Sequence, residues 1–342
     1  MKKRIMSCFM ALALCLTLLP TAALAADEHT NHLICGTTCS HAGEKHTVNA
    51  FDNATKLWIN GNTLMKGEKE WEVSDVKLWN TGEGTKKAYV LDKGAYYLDS
   101  DFNFNGNTSI TASECAIAIT GDVTLCLNSH SITCTDKWSA ISVYAVECGS
   151  LTLTNCKSTG TITGGSVAAV DVRYGKTFNM YGGTLVGSSK GYGVNVVAGD
   201  RKTTMFNMYS GTITGDGDGV RLDNTGTEEK FTMSGGTISN NRGCGVLVQG
   251  GTFEMSGGEI SGNKTKSNGG GVTISNGGKF EMSGTAKITQ NTAGYSGGGV
   301  YVDENAQFFM RGGSITENTA DVGGGVYYTA SNSLYVSGNV NI

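Results

Sequence analysis

The sequence has little proline, little charge and little histidine. One of its 342 residues is proline, Pro20, against 50 glycines, and 16% of the residues are charged. High glycine without proline is unlike collagen or a disordered linker, and it suits many tight turns between paired strands. His130 is the one histidine after residue 50, which leaves no credible Ser/His/Asp catalytic set in that part of the chain.

The charge balance is acidic. The formal net charge of −4 includes three positive charges and no acid in the first 25 residues, so residues 26–342 carry −7. An acidic protein has no general attraction for nucleic acid, and we expect no nucleic-acid partner. The glycine clusters precede predicted strands, whereas a phosphate-binding loop needs the start of a helix. No nucleotide site is therefore expected.

The first 25 residues are typical of a secretory signal peptide. The basic start MKKR is followed by an apolar run from Ile5 to Leu19 and by the small-residue site Ala23-Leu24-Ala25. The apolar run is too short to span a membrane, and no later stretch qualifies as transmembrane. We expect cleavage after Ala25 and an exported protein, secreted or associated with the cell surface.

A phrase of the form aromatic–x–Met recurs through the second half of the chain. Its copies begin at Phe178, Phe206, Phe231, Phe253, Phe280 and Phe308, with Leu334 in the same place, at spacings of 28, 25, 22, 27, 28 and 26 residues. Within each copy apolar residues alternate over short runs bounded by glycine and asparagine, which indicates strands. A coil that returns about every 25 residues predicts a parallel β-helix, right-handed like other parallel crossovers.

Two columns of identical residues mark the turns. Asparagine follows the repeat isoleucine by three residues at Asn241, Asn263, Asn291 and Asn318, with Asp216 in the preceding copy. Stacked asparagines can hydrogen-bond along the column and tolerate left-handed backbone. Glycine precedes the next strand at Gly193, Gly219, Gly245, Gly271, Gly299 and Gly325. Either positive φ or close approach of a neighbouring backbone would require glycine there.

The predicted fold class is all-β: a right-handed parallel β-helix solenoid of about nine coils with an N-terminal cap. We divide the chain into a signal peptide (1–25), a Cys/His-rich segment (26–50), a cap region (51–101) that contains Trp58, Trp71 and Trp79, and the β-helix (102–342). The sequence stops part-way through a coil, open or truncated. A further β-helix or a partner is expected to cover that edge, because open strand edges invite association.

The Cys/His-rich segment is a candidate zinc site. Its candidate ligands are His29, His32, Cys35, Cys39, His41 and His46. Thiolates and imidazoles at such short spacing can close a tetrahedral zinc site. A Cys35–Cys39 disulfide and a solvated segment are the alternatives. Eight cysteines remain after the signal peptide, and their pairing does not follow from sequence.

Residues that point outward from the Gly-Val-x-Val strands form the other candidate sites. Asp171, Arg173, Arg221 and Asp223 are expected to share one patch, and Tyr301 and Tyr327 to stack and hold a sugar ring. Paired carboxylates suit a glycoside hydrolase, and a basic residue with Asp-bound Ca²⁺ suits a polysaccharide lyase. Ordinary cross-strand ion pairs and a tyrosine ladder are the structural alternatives. The run Gly215–Gly219 hints at calcium.

Several segments resemble one known group. VTLCLNSHSIT (123–133), LTLTNCKSTGTITGG (151–165), the FxMSGGTI…GGGV copies, AYYL (95–98) and the early HLICG…CSH segment resemble secreted right-handed β-helix repeat proteins of Firmicutes. The resemblance covers most of residues 29–342. It implies a pectin-lyase-like superhelix on a surface or secreted protein, and it supports the fold more than any reaction.

The expected function is a non-catalytic adhesion or binding scaffold for a glycan or for a host or cell-surface protein, with no cofactor required. The first alternative is a polysaccharide lyase or glycoside hydrolase that acts on the outer face, with Ca²⁺ if it is a lyase. The second alternative is a structural spacer of a larger surface protein.

Overall fold

The computed structural model describes residues 54–78, 84–110, 114–146, 149–155, 160–199, 202–223, 229–330 and 333–342. These residues form β-strands joined by turns. Within them, no helix is long and apolar enough to cross a membrane. The strands, numbered along the chain, stack into three faces of one solenoid.

The aromatic face carries the Phe-x-Met phrases and the isoleucine face carries the repeat isoleucines. The aromatic face contains β6 (Gly94–Leu98), β9 (Val123–Cys126), β12 (Ser150–Thr154), β15 (Thr177–Met180), β18 (Thr204–Met208), β21 (Glu229–Met233), β24 (Thr252–Met255) and β27 (Lys279–Met282). The isoleucine face contains β7 (Phe102–Asn103), β10 (Ser131–Thr133), β13 (Thr161–Thr163), β16 (Thr184–Gly187), β19 (Thr212–Gly215), β22 (Thr237–Ser239), β25 (Glu259–Ser261) and β28 (Lys287–Thr289). Two long strands, β30 (Gln307–Thr316) and β32 (Leu334–Asn341), continue across both faces and join them into one sheet.

The valine face is a separate sheet. It contains β4 (Val73–Val76), β5 (Lys86–Leu91), β8 (Cys115–Ile119), β11 (Ser139–Val143), β14 (Ala168–Arg173), β17 (Tyr192–Val197), β20 (Val220–Leu222), β23 (Val246–Gln249), β26 (Val272–Ser275), β29 (Val300–Val302) and β31 (Val326–Tyr328). From β5 to β31 each strand pairs in parallel with the equivalent strand of the next coil. The predicted right-handed β-helix of about nine coils is thus confirmed. The parallel pairing already begins with β1 (Thr55–Asn60), which pairs with β6, and with β5, before the predicted start at residue 102.

Antiparallel strands cap the first coil. The cap strands β1 (Thr55–Asn60), β2 (Thr63–Lys66) and β3 (Lys69–Glu70) pair antiparallel, as do β4 and β5. The buried ring of Trp71 lies 5.0 Å from Tyr89 and 6.0 Å from Phe102, and its Nε1 donates to the Val90 carbonyl. The indole thus closes the end of the core and leaves no orphaned N–H. Trp79 lies outside the described residues.

Stacked phenylalanines fill the core beneath the aromatic face. The six rings from Phe178 to Phe308 are fully buried and lie parallel, with neighbouring centroids 4.6 to 5.1 Å apart. This distance matches the ~4.8 Å separation of paired strands. Burying each phenylalanine contributes roughly 1.5–3 kcal/mol relative to an exposed ring. Because equivalent phenylalanines lie on paired strands, neighbouring rings are separated by one strand spacing per coil.

The asparagine column is a hydrogen-bonded ladder, as predicted. Asn241 donates to Asn263 at 2.7 Å, Asn263 to Asn291 at 2.9 Å, and Asn291 to Asn318 at 3.0 Å. The left-handed backbone lies one residue earlier than these asparagines, for example at Asn240 with φ 56°. The ladder residue needs ordinary φ because its side chain must point inward. Asp216 does not join the ladder and pairs with Arg242 instead.

The glycine column is explained by close approach rather than by positive φ. Gly219, Gly245 and Gly271 all have negative φ. A Cβ on Gly219 would lie 2.5 Å from the Gly245 carbonyl oxygen and 2.6 Å from Ile238 Cγ2. Only glycine therefore allows this turn to pass over the core.

Candidate functional site: a slot on the valine face

The outer surface of the valine face is one continuous column of side chains. Ser142, Asp171, Asn195, Arg221, Leu247, Thr273, Tyr301 and Tyr327 stand in register on successive strands. The first three are buried and the others are partly exposed. The register is as predicted, and in the first half of the column the outward positions are closed to solvent.

Asp171 is not available to a ligand. Its carboxylate is fully buried and accepts hydrogen bonds from Arg173 at 2.8 to 2.9 Å and from Asn195 at 2.9 Å. The Arg173 guanidinium lies 5.2 Å from the ring centre of Tyr144, which is itself fully buried. Two donors and the adjacent aromatic packing enclose the carboxylate, so a buried ion pair replaces the expected exposed one.

Arg221 and Asp223 form a second, separate pair. Arg221 donates to Asp223 at 2.6 Å and to Gln249 at 3.1 Å, and both partners of the ion pair remain about a quarter exposed. An ion pair this exposed to solvent contributes at most about 1 kcal/mol to the free energy of unfolding. The four charged residues therefore form two pairs, each within one coil, with Asn195 on the strand between them. A catalytic role for the four stays a prediction, and the structure leaves Asp171 without access to a substrate.

The two predicted tyrosines do stack on the outer face. Their rings are 5.8 Å apart and nearly parallel, at 6°. One ring face of Tyr301 is therefore covered by Tyr327. The next residue in the column on the other side is Thr273, which is too short to cover the second face. That uncovered aromatic face turns toward a groove.

The groove, which we call the β26 slot, has a volume of about 360 Å³. It is lined by Asp218, Cys244, Leu247, Gln249, Thr265, Ser267, Asn268, Thr273, Ser275, Tyr301 and Asp303. The short residues Thr273 and Ser275 form its floor. Leu247 and Tyr301 stand two strands apart, roughly 10 Å at one strand spacing per coil. This gap has the width of a single flat ring stacked on Tyr301.

A change in turn length builds the side wall of the slot. The turn before β20 has four residues (216–219), the turn before β23 has six (240–245), and the turn before β26 has ten (262–271). Thr273 Oγ1 donates to the Asn268 carbonyl at 3.0 Å, and Asn268 Oδ1 accepts from the Ser296 amide at 3.0 Å. The long turn is thus fixed both to the floor and to the next coil.

Burial raises the pKa of three ionisable groups that line the slot. It raises the pKa of the Asp218 carboxyl, although the Cys244 amide donates to that carboxylate at 2.8 Å. Burial and then the neighbouring Asp218 raise the pKa of the Cys244 thiol well above its usual value. Burial and then Asp303 raise the pKa of Tyr301. The thiol and the phenol are therefore neutral near pH 7.

Two other grooves lack an aromatic wall. A depression of about 190 Å³ on the aromatic face is lined by residues such as Thr232, Glu254 and Glu281. A groove of about 300 Å³ near the cap is lined by residues such as Asp75, Lys77 and Thr85. Neither has an aromatic side chain among its described lining residues, so of these three grooves the β26 slot best suits a ring-shaped ligand.

The two aspartates of the Gly215–Gly219 run, which hints at calcium, have partners within the protein. Asp216 pairs with Arg242 at 3.0 Å, whereas Asp218 turns to the Cys244 amide. Among the described residues no three His, Cys, Asp or Glu side chains are placed to hold a metal ion. The six candidate zinc ligands between His29 and His46 lie outside the described residues, so that site stays a prediction.

Comparison with protein-family models, with curated proteins and with solved structures gives no match. The resemblance to secreted β-helix proteins of Firmicutes therefore stays a prediction. Sequence reasoning did not assign Thr273 or Asp218 to this slot and did not identify its ten-residue wall. The available signal was the longer spacing between Asn263 and Gly271 than between Asn241 and Gly245.

Proposed function

We propose that this protein is a secreted or cell-surface scaffold that binds a glycan chain, with one sugar ring seated in the β26 slot. The observation that carries the proposal is the uncovered ring face of Tyr301 above the short floor residue Thr273. A sugar ring has an apolar face that packs on an aromatic ring and polar edges that need hydrogen-bond partners. Tyrosine combines both properties at the wall of a groove.

The polar rim fits the same ligand. Gln249 at the end of β23 and Asp303 just after β29 border the slot on either side of the floor strand, and Ser267 and Asn268 border it from the long turn. Few, fixed polar groups around an apolar contact are typical of small-ligand sites. A binding scaffold is also supported by the coil geometry, because each coil presents the same outer face at the same spacing.

Two substitutions test the slot. Thr273→Tyr places a third ring in the Tyr301–Tyr327 stack and fills the floor, so binding should disappear while the strand keeps a good β-former. Tyr301→Ala removes the platform and should weaken binding about tenfold or more. Thr252→Tyr, which lies between Lys230 and Lys279 on the aromatic face, is the matched control.

Binding is measured by isothermal titration calorimetry of residues 26–342 with neutral, amino-sugar and uronic-acid oligosaccharides. The melting midpoint of each variant checks its fold. Binding that survives Thr273→Tyr in a folded protein would place the ligand elsewhere. No binding by the unchanged protein to any oligosaccharide would overturn the proposal and favour the spacer interpretation.

A further inference from the structure

The lining of the β26 slot carries negative charge without a lining cation. Asp218 and Asp303 both line it, and among its described lining residues there is no lysine or arginine. The Cys244 thiol is neutral near pH 7 because burial raises its pKa. The charge of the slot near neutral pH is therefore set by the two aspartates.

One arginine acts on the slot from outside its lining, because the charge of Arg221 favours the ionised form of Asp218. Arg221 is already bound to Asp223 at 2.6 Å and to Gln249 at 3.1 Å. Lys264 and Lys266 are exposed on the long turn and do not line the slot. An anionic ligand would therefore meet two carboxylates at the slot itself.

The two carboxylates lie too far apart along the solenoid to bind one cation together. Asp218 lies in the turn before β20, and Asp303 follows β29, three coils farther along. Together with the other described acids they do not form a group that could hold a metal ion. Two carboxylates separated along the solenoid can instead each contact a different cationic group of one bound polymer.

We infer that the glycan bound in the β26 slot is an amino sugar polymer with free ammonium groups, and that uronic-acid polymers are rejected. This inference rests on the proposed glycan binding. Asp303 lies beside Tyr301, with 3.4 Å between the phenol oxygen and the carboxylate, so a ring stacked on the tyrosine has an acid at its edge. Charge-assisted hydrogen bonds of this kind are about twice as strong as neutral ones.

Asp218, which also lines the slot, favours a bound ammonium group for the same reason. The protein holds this carboxyl in a site where burial disfavours its charge. An ammonium group beside it favours the ionised form and lowers its pKa. Once the pH is low enough for the sugar amine to be fully charged, binding of the amino sugar is therefore expected to weaken on further acidification, because the Asp218 carboxylate takes up a proton.

The test compares three oligosaccharides of equal length: glucosamine, N-acetylglucosamine and galacturonic acid oligomers. Glucosamine oligomers should bind about tenfold more tightly than the acetylated ones, and galacturonate oligomers should not bind. Asp303→Asn and Asp218→Asn should each remove most of that tenfold preference while the acetylated oligomer binds as before. Glu254→Gln, a carboxylate on the aromatic face that pairs with Lys230 at 2.8 Å, should change neither affinity.

The outcomes separate the two claims. Equal affinity for the free and acetylated amino sugars, or binding of galacturonate oligomers, overturns the charge preference and leaves glycan binding in place. Glucosamine binding that persists in Thr273→Tyr shows general attraction of a polycation to an acidic protein and overturns both claims. Tight glucosamine binding that Thr273→Tyr and Asp303→Asn each reduce supports both.

Discussion

Replacing Asn263 by aspartate tests the asparagine ladder without changing its shape. Asn263 is fully buried in the middle of the ladder. Its Nδ2 donates to the Ile238 carbonyl at 3.0 Å and to Asn291 Oδ1 at 2.9 Å, and its Oδ1 accepts from Asn241. Asn263→Asp keeps the acceptor and the volume, but it places an oxygen where the amide nitrogen met two acceptors.

The expected cost follows from those contacts. Two hydrogen bonds are lost, two buried acceptors lose their donor, and a charge is left without a cation. An uncompensated buried charge costs about 3–5 kcal/mol, so we expect a loss of about 4 kcal/mol in the free energy of unfolding at pH 7. Burial raises the folded-state pKa of the new aspartate above its unfolded value of about 3.9. The loss therefore shrinks as the pH falls toward 4 and grows as the pH rises through the interval between the two pKa values.

Urea unfolding followed by far-UV circular dichroism at pH 7 and pH 4 measures both effects. Asn276→Asp is the matched control, because Asn276 is an exposed turn residue and should change the free energy of unfolding by less than about 0.5 kcal/mol. If Asn263→Asp is as stable as the control at pH 7, or if its loss is the same at both pH values, the ladder does not stabilise the coil as argued.

Two further predictions concern the core and its thiols. Gly271→Ala would put a Cβ 2.6 Å from the Gly299 carbonyl oxygen and 2.7 Å from Ile288 Cγ2, so it should destabilise by about 1–3 kcal/mol; an unchanged melting midpoint would contradict the close-approach explanation. Burial raises the pKa of Cys115 and of Cys134 to about 12. Both thiols should therefore resist iodoacetamide at pH 8 in the folded protein and react after unfolding in urea. Rapid labelling of the folded protein, followed by mass spectrometry, would contradict their burial.

Most of the fold could be predicted from sequence because each coil repeats one local pattern. The phenylalanines recur at the period of the coil, so their stacking follows from the pairing of adjacent strands. Details of single positions were harder to predict. The glycine column offered two explanations, and the backbone φ together with the Ile238 contact decides between them.

The candidate site was less predictable, because it depends on differences between coils. Tyr301 and Tyr327 were recognised from their place in the repeat, and their stacking is confirmed. Whether a side chain that points outward also reaches solvent cannot be read from its period. Asp171 and Arg221 occupy equivalent positions, yet only Arg221 is exposed.

The sequence by itself determined the repeat, the parallel pairing of the coils and the residues that face inward, because these follow from a local period. The tertiary structure alone decided which outward residues are accessible and where a cavity forms. Burial of Asp171 depends on contacts with Arg173 and Asn195, and the β26 slot exists because a ten-residue turn stands beside a short floor residue, Thr273. A cavity is the space left between coils, so no single repeat encodes it.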